Sequence, residues 1–205
     1  LSITAAILGV VLVLKRYSMI GDGLSHVAFA ALTIAVAMNV APLYISTPIV
    51  TVAAIILLRL SENSKIKGDS AIALISTVSI AIGVVVTALT KGMNTDVYSY
   101  MFGSILAMSE SDVYMSIALS VVVIILFVFF YNKIFAVTFD ESFAKATGTK
   151  ADAYNMIIAV LTAITIVVGM RIMGTMLISS LIIFPALISM RNFKTFKSVI
   201  ICSAI

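Results

Sequence analysis

Asp22 and His26 stand four residues apart in "KRYSMIGDGLSHVAFAALTIAVAM", an otherwise apolar stretch, and His26 is the only histidine of the chain. At i and i+4 on a helix, two side chains leave one face. A carboxylate oxygen and an imidazole nitrogen so placed can grip one divalent cation. That donor mix suits zinc or manganese better than magnesium or calcium. Two ligands do not complete a coordination shell, so water, carbonyls or distant side chains must add the rest. Such incompleteness suits a carrier, because a closed four-ligand zinc site would hold its cargo too long. Only neutral imidazole binds a metal, so metal binding by such a pair is expected to weaken as pH falls through the range where free histidine takes a proton. Two other readings stay open. Asp22 can serve as an N-cap at the membrane interface, and His26 can donate to it, or to a neighbouring helix, in a satisfied pair.

The helix that must carry this pair continues with Ala28, Ala30, Ala31, Ala35 and Ala37. Small residues are expected where helices pack closely inside a bundle, so this helix is expected to be central, where a path would run. The chain is 62% hydrophobic and 11% charged, with mean hydropathy +1.21; soluble domains carry about 25% charged residues. One soluble core cannot hide so much apolar surface. The chain belongs in a membrane.

Apolar runs fall at Leu1–Leu14, Gly23–Val40, Leu43–Leu60, Ser70–Thr90, Val113–Tyr131, Ala153–Met170, Gly174–Met190 and Ser198–Ile205. A spanning helix needs about 20 residues, so the first and last are too short to span. The expected fold is all-α: a polytopic transmembrane helical bundle with about seven to eight spans. Residues 1–205 form one domain, expected to be truncated at both ends because no Met precedes Leu1. Leu1–Leu14 has neither a basic n-region nor a cleavage site followed by a soluble domain, so it reads as the tail of a span.

Alternating these spans puts Lys15, Arg16, Arg59, Lys65, Lys67, Lys133, Lys145, Lys150, Arg191, Lys194 and Lys197 on one side, and Lys91 and Arg171 on the other. The heavily basic side is expected in the cytoplasm. Asp96, Glu110 and Asp112 then make the outer face acidic. The net charge of +4 follows from this topology and calls for no nucleic acid. Outside, Lys91–Asp112 holds Tyr98, Tyr100 and Phe102 and reads either as an interfacial or re-entrant segment or as a partly helical loop. Inside, Val137–Tyr154 reads as a short amphipathic helix closed by Gly148. It is expected either to dock a soluble partner or to anchor on the membrane surface.

Motifs of enzymes are missing: the sequence holds no GxxxxGK[ST], HExxH, CxxC or GxSxG. "GDGLSH" follows no strand, so it is a poor dinucleotide loop. The lone Cys202 excludes an internal disulfide, and the 11 methionines are scattered as gap-fillers of a core. A passage or scaffold fits better than a catalyst.

"YSMIGDGLSHVAFAA" resembles the signature that follows the first helix in permease subunits of the zinc/manganese/iron class of ABC importers (ABC-3 type), a basic pair followed by Gly-Asp-x-x-x-His. "YSYMFGSILAMSESD" is similar to that family's Tyr-x-Phe-Gly-x-x-Leu segment. "FDESFAKATGTKADAYN" is similar to its coupling-helix loop, and "GMRIMGTMLISSLIIFPALISMRNF" to its Gly-x-x-Leu and Pro-Ala segment. The four segments occur in the family's order and cover most of the chain. One departure is Asp69-Ser70-Ala71, where the family more usually has Asp-Thr-x-x-Gly.

The resemblance implies a permease of the bacterial plasma membrane that is not itself an enzyme, with ATP hydrolysed on a separate ABC ATPase subunit. It implies Asp22 and His26 as metal ligands in a path between two permease copies. Near 138–150 it implies a cytoplasmic coupling helix in which Phe139, Asp140, Glu141, Phe143, Ala144 and Gly148 meet the ATPase. An extracellular metal-binding protein, membrane lipid and a homodimer are the other expected partners. No permanent cofactor is expected; Zn2+ or Mn2+, or else ferrous iron, is the cargo. Alternatives are a permease for a metal chelate such as a siderophore or cobalamin, and a membrane metal-sensing or assembly protein without transport.

Overall fold

The computed structural model describes residues 1–40, 42–63, 68–90, 102–103 and 110–205. Among them every regular element is a helix: α1 Ser2–Leu14, α2 Ser18–Ala37, α3 Pro42–Asn63, α4 Gly68–Leu89, α5 Glu110–Phe129, α6 Tyr131–Phe139, α7 Glu141–Ala146, α8 Ala151–Asn192 and α9 Phe196–Ala204. Each of the eight apolar runs of the sequence falls on a helix. By length and apolarity α2, Ser70–Leu89 of α4, and α8 qualify to cross a membrane, and α5 with α6 is a fourth if that bent pair is one span. Within Lys91–Asp112, residues 91–101 and 104–109, with Asp96, Tyr98 and Tyr100, lie outside the described residues. So do Lys65 and Lys67.

α1 ends in a reversal that the sequence disguises. Arg16 takes φ 61°, its N–H donates to the Val13 carbonyl (3.0 Å), and the Tyr17 N–H donates to that of Leu12 (2.7 Å). This pairing is the Schellman closure, normally built on glycine in the left-handed region. Because Arg16 makes the turn, α2 starts at Ser18, not at Gly23 as its apolar pattern suggests. Asp22 is therefore inside the helix. The N-cap reading is corrected: Tyr17 occupies that position.

α8 is two antiparallel arms. Gly174 stands at φ 80°, ψ 165°, a region open essentially to glycine alone. Gly169 lies against the Ile178 side chain. On a straight helix nine residues would separate these by about 13.5 Å, so the chain must double back. The arms match the two runs expected at 153–170 and 174–190. Gly103 (φ 77°) lies against this reversal, where any Cβ would overlap the backbone of Met173 and Gly174.

The main core joins α1, α2, α3 and both arms of α8 through Val10, Leu24, Leu32, Leu57, Ile166 and Ile182. α2 is wrapped by α3, α4 and α8, so the alanine-rich helix is central, as its composition requires. α5 and α6 bend by 72° about Phe130. The chain then breaks again at Asp140, which is extended (φ −146°, ψ 93°) and caps α7 by accepting from the Phe143 N–H at 2.8 Å. The single amphipathic helix expected over Val137–Tyr154 is thus three pieces: the end of α6, a capped six-residue α7, and the start of α8. Gly148 (φ 79°) follows α7 with open space around its Cα.

Candidate functional site

In "GDGLSH" the two glycines decide how closely neighbours approach. Gly21 faces the Ile182 side chain of the second α8 arm, and Gly23 faces Ile72 and Ser76 of α4, where any Cβ would crowd Ile72 Cγ2 (2.8 Å). α2 is thereby pinched between two helices at the level of Asp22.

Asp22 and His26 share one face of α2, with His26 Nε2 3.6 Å from Asp22 Oδ2. That gap is wider than a good hydrogen bond. Two donors each about 2.1 Å from one ion at a tetrahedral angle stand roughly 3.4 Å apart, so the gap matches a shared cation with little adjustment. Both side chains line a cleft of about 290 Å³ whose far wall is Thr175, Met176, Ser179, Ser180, Ile183 and Phe184 of the second α8 arm. Among the described residues no cluster of three or more His, Cys, Asp or Glu can hold a metal. Between its two walls the cleft therefore offers one carboxylate, one imidazole, the hydroxyls of Thr175, Ser179 and Ser180, and the Met176 thioether.

The hydroxyls join the two walls. Ser179 Oγ is 2.9 Å from Ser25 Oγ, with both residues buried, and 3.0 Å from the Thr175 carbonyl. Ser25 donates to the Gly21 carbonyl at 2.9 Å, and the Ser179 hydroxyl also interacts with the Asp22 carboxylate. Ser25, Thr175 and Ser179 were not singled out in the sequence. Their only signal there is position, one turn from Asp22 for Ser25 and within the first turns after a glycine break for the others.

A second polar group gathers where α1, α7 and α8 meet. Glu141 Oε2 accepts from Lys15 Nζ at 3.2 Å and from Asn155 Nδ2 at 3.1 Å, while Glu141 Oε1 is 2.9 Å from Lys145 Nζ. Lys15 also donates to Asn155 Oδ1. Burial pushes the Glu141 carboxyl up, but hydrogen bonds from Lys145 and Asn155 and the charge of Lys15 outweigh it and hold it at about 2. Lys145, hydrogen-bonded to Asp152 and Glu141, is raised above the ordinary lysine range.

The residues expected to couple to an ATPase sort into two kinds. Phe139 and Phe143 are exposed, and Phe139 packs beside Phe135 and Phe196. Asp140 caps, Glu141 is bonded inward, and Ala144 is buried with Val137 and Ala151. Gly148 supplies the left-handed exit. Lys15, read from the sequence only as a topology charge of the basic pair, and Asn155, the last residue of the coupling-loop segment, join this group in space.

Along 98% of its length the chain is 28% identical to the manganese import system permease protein ScaB of Streptococcus gordonii, covering 75% of that protein. It is 29% identical, again over 98%, to the high-affinity zinc uptake system membrane protein ZnuB of Haemophilus influenzae, covering 77% of it. Among solved structures, PsaBC from Streptococcus pneumoniae in complex with Fab superposes with a TM-score of 0.85 at 28% identity, over 99% of this chain and 73% of that one. The family model described as the ABC 3 transport family matches residues 1–205.

Proposed function

Because the chain belongs to the ABC 3 transport family over its whole length, we propose that it is the permease of an ATP-driven importer of zinc or manganese ions. It is a multi-pass membrane protein of the bacterial plasma membrane. The observation that carries the cargo assignment is the Asp22–His26 pair, 3.6 Å apart on the wall of a cleft. An ionisable pair at membrane depth is a functional feature by default. The carboxylate offsets the charge of a passing cation, and the imidazole adds a borderline nitrogen donor. Two ligands facing a wall of hydroxyls bind briefly and release. An anionic pair on the wall favours a bare ion over a bulky chelate. Ferrous iron shares the same donor preferences.

In this reading two copies of the permease face one another across the path and complete the shell, and an extracellular metal-binding protein delivers the ion. A separate ATPase docks at the corner between α6 and α7, through Phe139 at the end of α6 and Phe143 on α7. Asp140, Glu141, Ala144 and Gly148 set the orientation of that helix. Manganese and zinc appear in the names of relatives of equal similarity, so the choice between them is left to experiment.

The test is cellular metal content by elemental mass spectrometry. The full-length permease and its partners are expressed in a strain lacking its own zinc and manganese importers, as wild type, Asp22→Ala and His26→Ala. We expect accumulation of zinc or manganese, lost in both variants at equal protein level. Unchanged accumulation in the variants would remove the pair from the path.

A further inference from the structure

Lys15 carries a charge that the cleft does not use. Its side chain is only 6% exposed, and its ammonium is bonded to Glu141 and Asn155. Asn155 is itself buried and donates to the same Glu141 oxygen. Removing Glu141 would strand the Lys15 ammonium and the Asn155 amide away from water. The three residues come from the end of α1, the first residue of α7, and the first turns of α8.

Their places along the chain give the group its meaning. Lys15 is the C-cap of α1. Arg16 turns the chain, and α2 begins at Ser18 with Asp22 in its second turn. Glu141 opens α7, whose Phe143 is exposed. One ion pair therefore joins the helix with an outward aromatic face to the elbow from which the Asp22–His26 helix springs. α7 is short, preceded by extended Asp140 and followed by left-handed Gly148. Both of its backbone connections are bends, which transmit displacement poorly, whereas the bond to Lys15 is a fixed point of attachment.

We infer that Lys15 and Glu141, seated on Asn155, are a positioning pair that transmits displacement of α7 to the α1–α2 elbow and so to the metal-binding helix. This rests on the reading of α7 as the docking helix for the ATPase. Coupling between distant sites is carried by ion pairs and packed elements in direct contact, and the Lys15–Glu141 pair is a contact of that kind between α7 and the elbow. Lys145 also reaches Asp152 of α8 at 2.9 Å, and Ala144 is buried against Val137 and Ala151, so α7 keeps contacts with its neighbours that do not pass through Lys15.

The experiment uses the full-length permease with its ATPase in lipid nanodiscs, read by hydrogen–deuterium exchange with and without a non-hydrolysable ATP analogue. The variant is Lys15→Met with Glu141→Gln, which leaves no stranded charge. In the wild type, nucleotide is expected to change exchange both in 141–146 and in 15–22. In the variant it is expected to change 141–146 alone, with metal uptake per ATP hydrolysed falling at least tenfold. Equal nucleotide response of 15–22 in both proteins overturns the pair, as does no response in the wild type. Failure of the variant to assemble also overturns it, since the pair would then be holding the fold. A wild type that binds the ATPase and shows both responses yet moves no metal would defeat the import reading alone. A permease that assembles with no ATPase would defeat both.

Discussion

Gly9 of α1 lies with its backbone against the carbonyl of Ile182 in the second α8 arm, so closely that a methyl group on Gly9 would overlap that oxygen. Neither backbone can move alone, because Val10 and Ile182 are both buried. Gly9→Ala is expected to push the helices apart and cost more than the usual 1–3 kcal/mol of overpacking, read as a sharp fall in melting temperature in detergent. Gly148→Ala meets nothing and strains only φ, so its effect should stay near 1 kcal/mol.

Ser179 and Ser25 form a hydroxyl link across the cleft wall. Such links average about 0.6 kcal/mol in membrane proteins. Ser179→Ala should therefore fold and express normally. Its effect is expected in transport, as a severalfold rise in KM for the metal, because the cleft loses a hydroxyl beside Asp22. Ser179→Thr keeps the hydroxyl and should recover most of the affinity in the same uptake assay.

Hydrogen bonds from Lys145 and Asn155 and the charge of Lys15 hold the Glu141 carboxyl at about 2, against an ordinary 4.5. A folded-state value below the unfolded one stabilises the protein fully above about 4.5. That contribution is lost as pH falls from about 4.5 toward 2. Glu141→Gln should be less stable than wild type at neutral pH, and the difference should shrink across that window. Thermal melts at pH 7, 4 and 2.5 check both the sign and the range.

Phe143 is exposed, so Phe143→Ala should leave melting unchanged while weakening co-purification with the ATPase. Asp140→Ala removes the cap of α7, worth about 1 kcal/mol, and should weaken the same contact by fraying the helix. Intact co-purification of both variants would put the docking surface elsewhere.

Apolar run length made the spans legible in the sequence, because bilayer thickness fixes how much chain each needs. The i, i+4 spacing of Asp22 and His26 made the pair legible, since only a helix was possible around it. The start of α2 was not legible. A left-handed cap is read from glycine, and Arg16 takes that conformation without one. Nor was the rest of the cleft wall. Serine and threonine are common in apolar helices, where their usual partner is their own i−4 carbonyl, as Thr162 and Thr165 show. A lysine ending a span reads as topology charge, and only packing against α7 and α8 reveals Lys15 as buried. Asp140 broke the amphipathic pattern because its carboxylate serves α7 as a cap.

The reversal at Gly174 brings to Asp22 a wall made 154 residues after Ser25, the distance along the chain between the two serines that join them. Ribosomes add roughly 5–20 residues per second, so α2 waits on the order of 8–30 s for its counterpart. Through that interval the newborn helix holds a carboxylate and an imidazole in the bilayer with half their surroundings not yet made. α3 and α4, which follow in the chain and flank α2 in the finished protein, are the next of its neighbours to be made.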